Sequence, residues 1–517
     1  MHDDPGPASA SLSVIVLAAG EGTRMKSATP KVLHTIGGRS LLDHVLAAAE
    51  PLRPQHRVVV VGHGRDQVLA TLAESVTPVV QERQGGTGHA TRLAVEAVVH
   101  ALEQRGRTPG GTVLVLFGDT PLLTAATLDR LLAEHERTGA AATLLTAPAE
   151  DPTGYGRVIR DERGAVRRIV EQRDATETER AVREINTGVA AYDLALLRDA
   201  LKRLTADNVA GEEYLPDVIA TLVADGRPVD AIPGELRETA GVNDRVQLAA
   251  AGAALRDRTV RQAMTDGVTV VDPATTWIDV GVTVGRDTVI ESGVQLLGRT
   301  AVGCGARIGP DTTITDSAVG DGAVVCRAHC VDARIGPAAA VGPFAYLRGG
   351  ATLARGAKAG TYVELKAAEI GPGSKVPHLS YVGDATIGAG SNIGAGTIFA
   401  NYDGVSKTRS VVGDGARTGA NNTFVAPVQI GDGAYTGAGT VIRSDVPPGS
   451  LAVTGGVTQR VIEGWTVGHR AGTVSAEAAH RATARPDAAA APGQPPAANQ
   501  PEQGPPEEES GAGEAGR

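Results

Sequence analysis

Aliphatic residues recur at every sixth position through much of the second half of this chain, at Val284, Ile290, Leu296, Val302, Ile308 and Ile314. After a one-residue shortening the series resumes at Val319, Val325 and Val331, then at Ile335, Val341, Leu347 and Leu353. It returns at Ile370, Val376 and Val382, at Ile387, Ile393 and Phe399, and at Val412, Thr418, Phe424, Ile430, Thr436 and Ile442. This period fits neither an α-helix nor a lone hairpin. It fits a parallel β-helix, in which each flat side of a coil is one hexapeptide and the aliphatic side chain points inward. Small residues beside it, as in Ile-Gly and Val-Gly, let the backbone turn the corners. The series breaks at 354–369 and again at 400–411.

The first half is patterned differently. Val14 to Ala19 is a short continuous apolar run leading into Gly20-Glu21-Gly22-Thr23-Arg24 and, further on, Lys31. Such a run reads as a parallel strand buried on both faces. Further strands are expected at Val58 to Val61, Val113 to Phe117, Ala142 to Thr146, Val158 to Arg160 and Val189 to Tyr192. Helical patterns separate several of them, at Leu41 to Ala49 and Leu128 to Glu136. The alternation predicts an α/β domain with a Rossmann-like, mostly parallel sheet over residues 11–241. Val242 to Met264, rich in Ala, Leu, Arg and Gln and free of Pro, predicts a linking helix at 242–266. The β-helix domain then runs over 267–467, and from 468 to 517 the chain turns to Ala, Pro, Glu, Gln and Gly. Such a tail cannot bury enough apolar surface to fold and is expected to be disordered.

Composition narrows the function classes. The 517 residues leave room for two or three domains, and 42% hydrophobic content suffices for real cores. A formal charge of −10 argues against a nucleic-acid partner while permitting local basic pockets. No apolar stretch approaches the roughly 20 residues of a membrane span, so no membrane partner is expected. The N-terminal apolar run lacks the cationic flank of a signal peptide, so a cytoplasmic location is expected. Three cysteines, Cys304, Cys326 and Cys330, give no disulfide framework, and His329 beside Cys330 lacks a metal-ligand pattern.

The run LAAGEGTRM from Leu17, followed by PK ending at Lys31, is no P-loop, and the third glycine of GxGxxG is missing. It offers a glycine turn that phosphates can approach, with two cations, Arg24 and Lys31. Taken alone, it is equally a βα turn with surface cations. Gln81 to Ala90 (QERQGGTGHA) is polar and glycine-rich, opens onto a helix and suits the edge of a nucleobase. Asp119 follows a strand end, where α/β folds place metal-binding carboxylates. Facing a triphosphate it implies Mg²⁺, although a helix cap is the commoner use of such an aspartate.

In the repeat half, Arg348, Tyr362, Glu364, Lys366, His378 and Tyr381 are out of place on a small, aliphatic solenoid. His378 is the candidate general base, since imidazole titrates near neutrality; a lone His is more often structural. The polar stretch Ala400 to Thr408 reads as a protruding loop, and loops on rigid repeats carry function.

The motifs LAAGEGTRM…PK, QGGTGHA, FGD, DPTGYGRV, IVEQRDA, EINTG and GVNDRVQL occur in the order seen in sugar-nucleotide pyrophosphorylases. With the hexapeptide half, Ser11 to Trp465 resembles the bifunctional bacterial N-acetylglucosamine-1-phosphate uridylyltransferase / glucosamine-1-phosphate N-acetyltransferase family. That resemblance implies that Leu17, Ala18, Ala19, Gly20, Gln81, Gly86 and Thr87 hold the uridine, and that Arg24 and Lys31 neutralise phosphate charge. Asp119 and Asn243 would bind Mg²⁺, and Gly156, Glu171 and Asn186 the amino sugar. Phe117 stands where the family often has Tyr, which removes one hydroxyl, while backbone contacts at Gly118 are expected to survive.

For the second reaction, the resemblance assigns Arg348, Lys366, Tyr381 and Asn392 to glucosamine 1-phosphate and makes His378 the base. Ala395, Asn401, Tyr402, Ala420 and Ala438 would line the acetyl-CoA groove, with Arg460 serving the coenzyme from a shifted position. Ala420 replaces a common Ser, so weaker coenzyme binding is expected. The family's β-helix is left-handed and trimeric, so a left-handed coil and a homotrimer are further expectations. Two rival readings fit less well. A pyrophosphorylase whose repeats only oligomerise would lack a base at 378 and the Asn-Tyr loop. A pure scaffold leaves Arg24, Lys31, Asp119 and Asn243 without purpose.

Overall fold

The structure is a computed structural model that describes residues 11–455, 463–469, 471–472 and 474–483. The first half is built on one twisted sheet. Its strands run in the order Val229–Pro233, Ala142–Pro148, Glu184–Asp193, Thr112–Phe117, Leu12–Ala18, His56–Val61 and Thr77–Val80. All neighbours are parallel except around Glu184–Asp193, which is antiparallel to both of its partners. An arm of two antiparallel strands, Gly156–Arg160 and Val166–Val170, pairs with the start of that strand.

The central strand shows why an uninterrupted apolar run was needed. Ile15 and Leu17 face a layer containing Ala94, Val98, Leu197 and Val218, whereas Val14, Val16 and Ala18 face Leu42, Val45, Leu128 and Leu131. Both faces are covered by helices, so alternation would have buried polar groups. The first layer is supplied by Thr87–Gln104, Leu194–Leu201 and Asp217–Ala224, the second by Leu41–Ala49 and Ala125–Thr138.

Helix Arg245–Thr265 follows, N-capped by the Asp244 side chain, which accepts from the Gln247 N–H. Its Ala251 and Leu255 bury against Ile36, Leu41, Leu122 and Val242. Val280, at the start of the repeats, packs there too and donates its N–H to the Gly37 carbonyl at 3.1 Å. The helix therefore joins the two halves through a shared apolar seam.

The repeats form a parallel β-helix. Ile290 pairs with Ile308 and Leu296 with Ile314, an advance of eighteen residues, or three hexapeptides per coil. The inward residues form one continuous core from Val268 to Val446. One expectation is corrected here: 354–369 is no interruption. Ala359 and Leu365 are wholly buried and continue the inward series as a regular coil. Ala359 fills the narrow interior without registering as aliphatic. The break at 400–411 is real: the coil advance from Ile387 to Val412 is twenty-five residues, and the extra length forms a loop with Val405 90% exposed.

Beyond Thr454 lies a second, separate unit. Within the stretch expected to be disordered, the structure places helix Val474–Thr483, whose Ala, Glu and Arg content favours helix; the rest of that stretch after Thr483 lies outside the described residues. No helix among the described residues is long and apolar enough to cross a membrane.

Candidate functional sites

Two cavities open at the carboxyl ends of the parallel strands, the position α/β sheets use for ligands. The first, about 360 Å³, is lined by Leu17, Ala18, Ala19, Gly20, Lys31, Gln81, Gly86, Thr87, Phe117 and Asp119. The second, about 430 Å³, is lined by Arg24, Gly156, Glu171, Asn186 and Asn243, and shares Thr87, Phe117 and Asp119 with the first. Every uridylyl-side candidate named from the sequence lines one of these cavities except Gly118. Its N–H is donated to the Leu17 carbonyl at 3.0 Å, inside the sheet.

Local geometry prepares the first cavity. Gly86 begins the helix Thr87–Gln104 at φ 98°, and a β-carbon there would lie 2.4 Å from the Glu213 carbonyl oxygen; only glycine fits. The Gln81 amide donates to the Gly86 carbonyl and hydrogen-bonds the His89 ring, each at 3.1 Å. A carbonyl can only accept, so the amide nitrogen is fixed there and the Gln81 oxygen is turned free for an N–H donor.

Lys31 stands where the cavities meet. Its ammonium donates to the Asp119 carboxylate and, at 3.3 Å, to the Asn243 amide oxygen. Two oxygens from distant parts of the chain thus converge on one positive charge.

In the second cavity a bulge in Glu184–Asp193, between Asn186 and Ala190, breaks the ladder. Asn186 accepts from the Gly188 N–H at 3.2 Å and faces the space beside Glu171. Burial, with like charge from Asp217 and Asp174, pushes the Glu171 carboxyl above its ordinary value. Gln84, Glu212 and Tyr155 also line the cavities, and the sequence does not point to them. Gln84 and Tyr155 lie within the QGGTGHA and DPTGYGRV motifs without being singled out there, and Glu212 comes from a loop with no motif of its own.

On the β-helix, Arg348 pairs with Glu364 at 2.9 Å, and Glu364 lies directly opposite Tyr381 on the next coil. Lys366 donates to both oxygens of Asp384, which also accepts from the Asn401 amide. Burial alone would raise the Asp384 carboxyl; the bonds from Lys366 and Asn401 outweigh it and hold it below its ordinary value. Asp384 is not among the residues the sequence suggests. Aspartates such as Asp316 and Asp332 share its left-handed backbone, so nothing in the sequence singles it out.

His378 ends the strand Lys375–His378 with an exposed ring. Asn392 sits on a different ladder, between Lys375 and Arg417, and among the described residues shares no hydrogen bond with the side chains of the Asp384 cluster. Ala395, Ala420 and Ala438 stack at one corner of successive coils, where the Ala395 and Ala420 carbonyls accept from the Asn421 and Gly439 N–H groups at 2.7 and 2.8 Å. With those carbonyls engaged, N–H groups are what this corner can offer a ligand. Tyr402 lies exposed in the 400–411 loop, its hydroxyl donating to the Gly404 carbonyl at 2.6 Å. Arg460 lies outside the described residues.

Comparison with known proteins covers both halves. Residues 14–186 match the MobA-like NTP transferase domain family, and residues 409–444 match the bacterial transferase hexapeptide (six repeats) family. A protein of Thermobifida fusca named "Bifunctional protein GlmU" is 58% identical over 482 residues, covering 92% of this chain and 99% of its own. The protein of that name from Streptomyces avermitilis is 56% identical over 480 residues, covering 92% and 98%. That from Corynebacterium efficiens is 54% identical over 477 residues, covering 91% and 96%.

Proposed function

The chain belongs to the family of the bifunctional protein GlmU, and from that premise we propose how its residues divide two reactions of UDP-N-acetylglucosamine synthesis. The β-helix transfers acetyl from acetyl-CoA to glucosamine 1-phosphate. The α/β domain then transfers uridylyl from UTP to N-acetylglucosamine 1-phosphate, releasing pyrophosphate.

One observation supports the second step above all: two cavities, one beside a glycine turn and one beside the half-buried Glu171 carboxylate, join at Asp119 under the Lys31 ammonium. Uridine fits the first and the amino sugar the second. The sugar phosphate oxygen attacks the α-phosphorus of UTP, and the bond to the β-phosphate oxygen breaks. Such a transfer needs positioning and charge stabilisation more than covalent help. Lys31 and Arg24 supply the fixed positive charge, and Gln81 presents an acceptor to the uracil N–H.

The donor set also fits Mg²⁺. Asp119 and Asn243 offer two oxygens already aimed at one cation, and Mg²⁺ takes one or two protein groups and completes its shell with phosphate and water. When bound, the ion would neutralise charge on the phosphates.

In acetyl transfer, Arg348, Lys366, Tyr381 and Asn392 receive the sugar phosphate. His378 takes a proton from the attacking amine, the amine nitrogen bonds the thioester carbon, and the coenzyme thiol leaves. Asn401, Tyr402 and the corner Ala395, Ala420 and Ala438 hold acetyl-CoA, with N–H groups available to the developing oxyanion.

The enzyme works in the cytoplasm and assembles as a homotrimer. Support for assembly comes from an apolar column at one corner beside His378: Phe344, Tyr362 and Leu379 are 51%, 58% and 61% exposed, more than a lone chain gains by leaving them bare. Light scattering on the purified chain tests it.

Both half-reactions should be assayed on wild type, His378→Ala and Asp119→Ala. The first variant should lose only acetyl transfer and the second only uridylyl transfer. Acetylation by His378→Ala at wild-type rate would remove the base assignment.

A further inference from the structure

Asp384 ties three successive coils of the β-helix together. Its carboxylate accepts from the Lys366 ammonium at 2.9 and 3.0 Å and from the Asn401 amide. Lys366 lies on the preceding coil, opposite Gly383, and Asn401 follows the strand Ile398–Ala400 of the next. The neighbourhood is tightly filled: a β-carbon on Gly383 would lie 2.4 Å from the Tyr381 hydroxyl and 2.7 Å from the Asn401 amide nitrogen. Asp316, with φ 47° against 46° for Asp384, directs its carboxylate to the Arg299 backbone N–H at 2.9 Å. Asp384 directs its own to two side chains instead.

We propose that Asp384 is a positioning residue for acetyl transfer, fixing the spacing between the Lys366 ammonium that meets the sugar phosphate and the Asn401 amide that meets the coenzyme. This role rests on the acetyl-transfer reading above. An ammonium has three N–H donors; two are held by Asp384, which leaves one aimed outward. Asn401 likewise gives one N–H to Asp384 and keeps its carbonyl oxygen and second N–H. Holding a long, flexible lysine in advance removes the ordering entropy that each substrate would otherwise have to overcome on binding. One carboxylate does this for both ligands, so its loss should weaken both together.

Asp384→Asn in the full-length protein is the test. Asparagine tolerates left-handed backbone as well as aspartate does, so the coil is kept while an amide replaces the charge. The KM values for glucosamine 1-phosphate and acetyl-CoA should each rise on the order of tenfold, with kcat changing less and with uridylyl transfer unchanged. Asp384→Glu should recover part of the loss. In a Lys366→Met background, Asp384→Asn should add nothing further to the sugar-phosphate KM, because the group it acts through is already gone. Unchanged KM values in an active Asp384→Asn enzyme, or an additive double variant, would overturn the proposal. A fall in uridylyl transfer in step with the KM changes would overturn it as well, by making Asp384 merely structural. A folded wild type inactive in acetyl transfer would instead overturn the acetyl-transfer reading, and this role with it.

Discussion

The Phe117 ring fills the space beside Gly188 so closely that a β-carbon on Gly188 would lie 2.5 Å from it. Gly188 also holds φ 83°, a conformation that side chains adopt only under strain. This pair shapes both cavities, because Phe117 lines each of them and the bulge at Gly188 aims Asn186. Gly188→Ala should lower stability by about 1–3 kcal/mol and raise the sugar-phosphate KM of uridylyl transfer. Denaturant titration beside both assays checks this; an unchanged midpoint would show that the ring can move aside.

Lys31 competes with any cation for Asp119 and Asn243. Lys31→Met should slow uridylyl transfer by roughly a hundredfold or more, leave acetyl transfer intact, and tighten Mn²⁺ binding to the nucleotide-free enzyme. Electron paramagnetic resonance of free Mn²⁺ reads the last effect directly. Weaker binding in the variant would mean that the two oxygens do not serve a metal. Chelation with EDTA should likewise stop uridylyl transfer and spare acetyl transfer.

Glu171 should cost the fold stability as it ionises. Its folded-state pKa is raised by burial and by Asp217 and Asp174, so the folded protein binds the proton more tightly than the unfolded chain. Stability therefore falls as pH rises from the ordinary glutamate range through the raised value, and then levels off. Glu171→Gln should melt higher than wild type at neutral pH, the gap closing in acid, while binding the amino sugar less well. Equal melting at both ends would place the shift elsewhere.

The thiols should separate by reactivity. Cys304 is exposed, whereas Cys330 is buried and its thiol pushed up to about 12. An aromatic disulfide reagent should modify Cys304 in the native protein and Cys330 only with unfolding. Fast native labelling of Cys330 would show that the coil opens locally.

Much of the architecture is legible in the amino-acid sequence, for physical reasons that also explain the gaps. The six-residue series works because the inward side chain of a flat face is apolar in most coils, the buried Thr418 and Thr436 being satisfied by the Gly394 and Gly419 N–H groups; Ala359 hides a whole coil because a narrow interior accepts Ala as readily as Val. The strands Thr77–Val80, Val166–Val170 and Val229–Pro233 do not stand out, since they lie at the sheet edge or in its arm, where burial is partial and sequence such as VRRIV carries two arginines. Cavity-lining residues next to strand ends, such as Asp119, announce themselves by position. Asp384 does not, because its role follows from which side chains the neighbouring coils bring to it. Gly118 lies inside a recognisable motif, and its N–H is engaged by the Leu17 carbonyl, which sequence alone does not show.

Asn243 is the residue just before Asp244 caps the helix Arg245–Thr265, and that helix is stitched to the repeats through Val280. A polypeptide cut after Ala240 would keep every strand of the α/β sheet and still lose one of the two oxygens that grip Lys31. Anyone separating the two chemistries onto different polypeptides has to leave the helix attached to the nucleotide-handling piece, with its apolar flank newly bared to water.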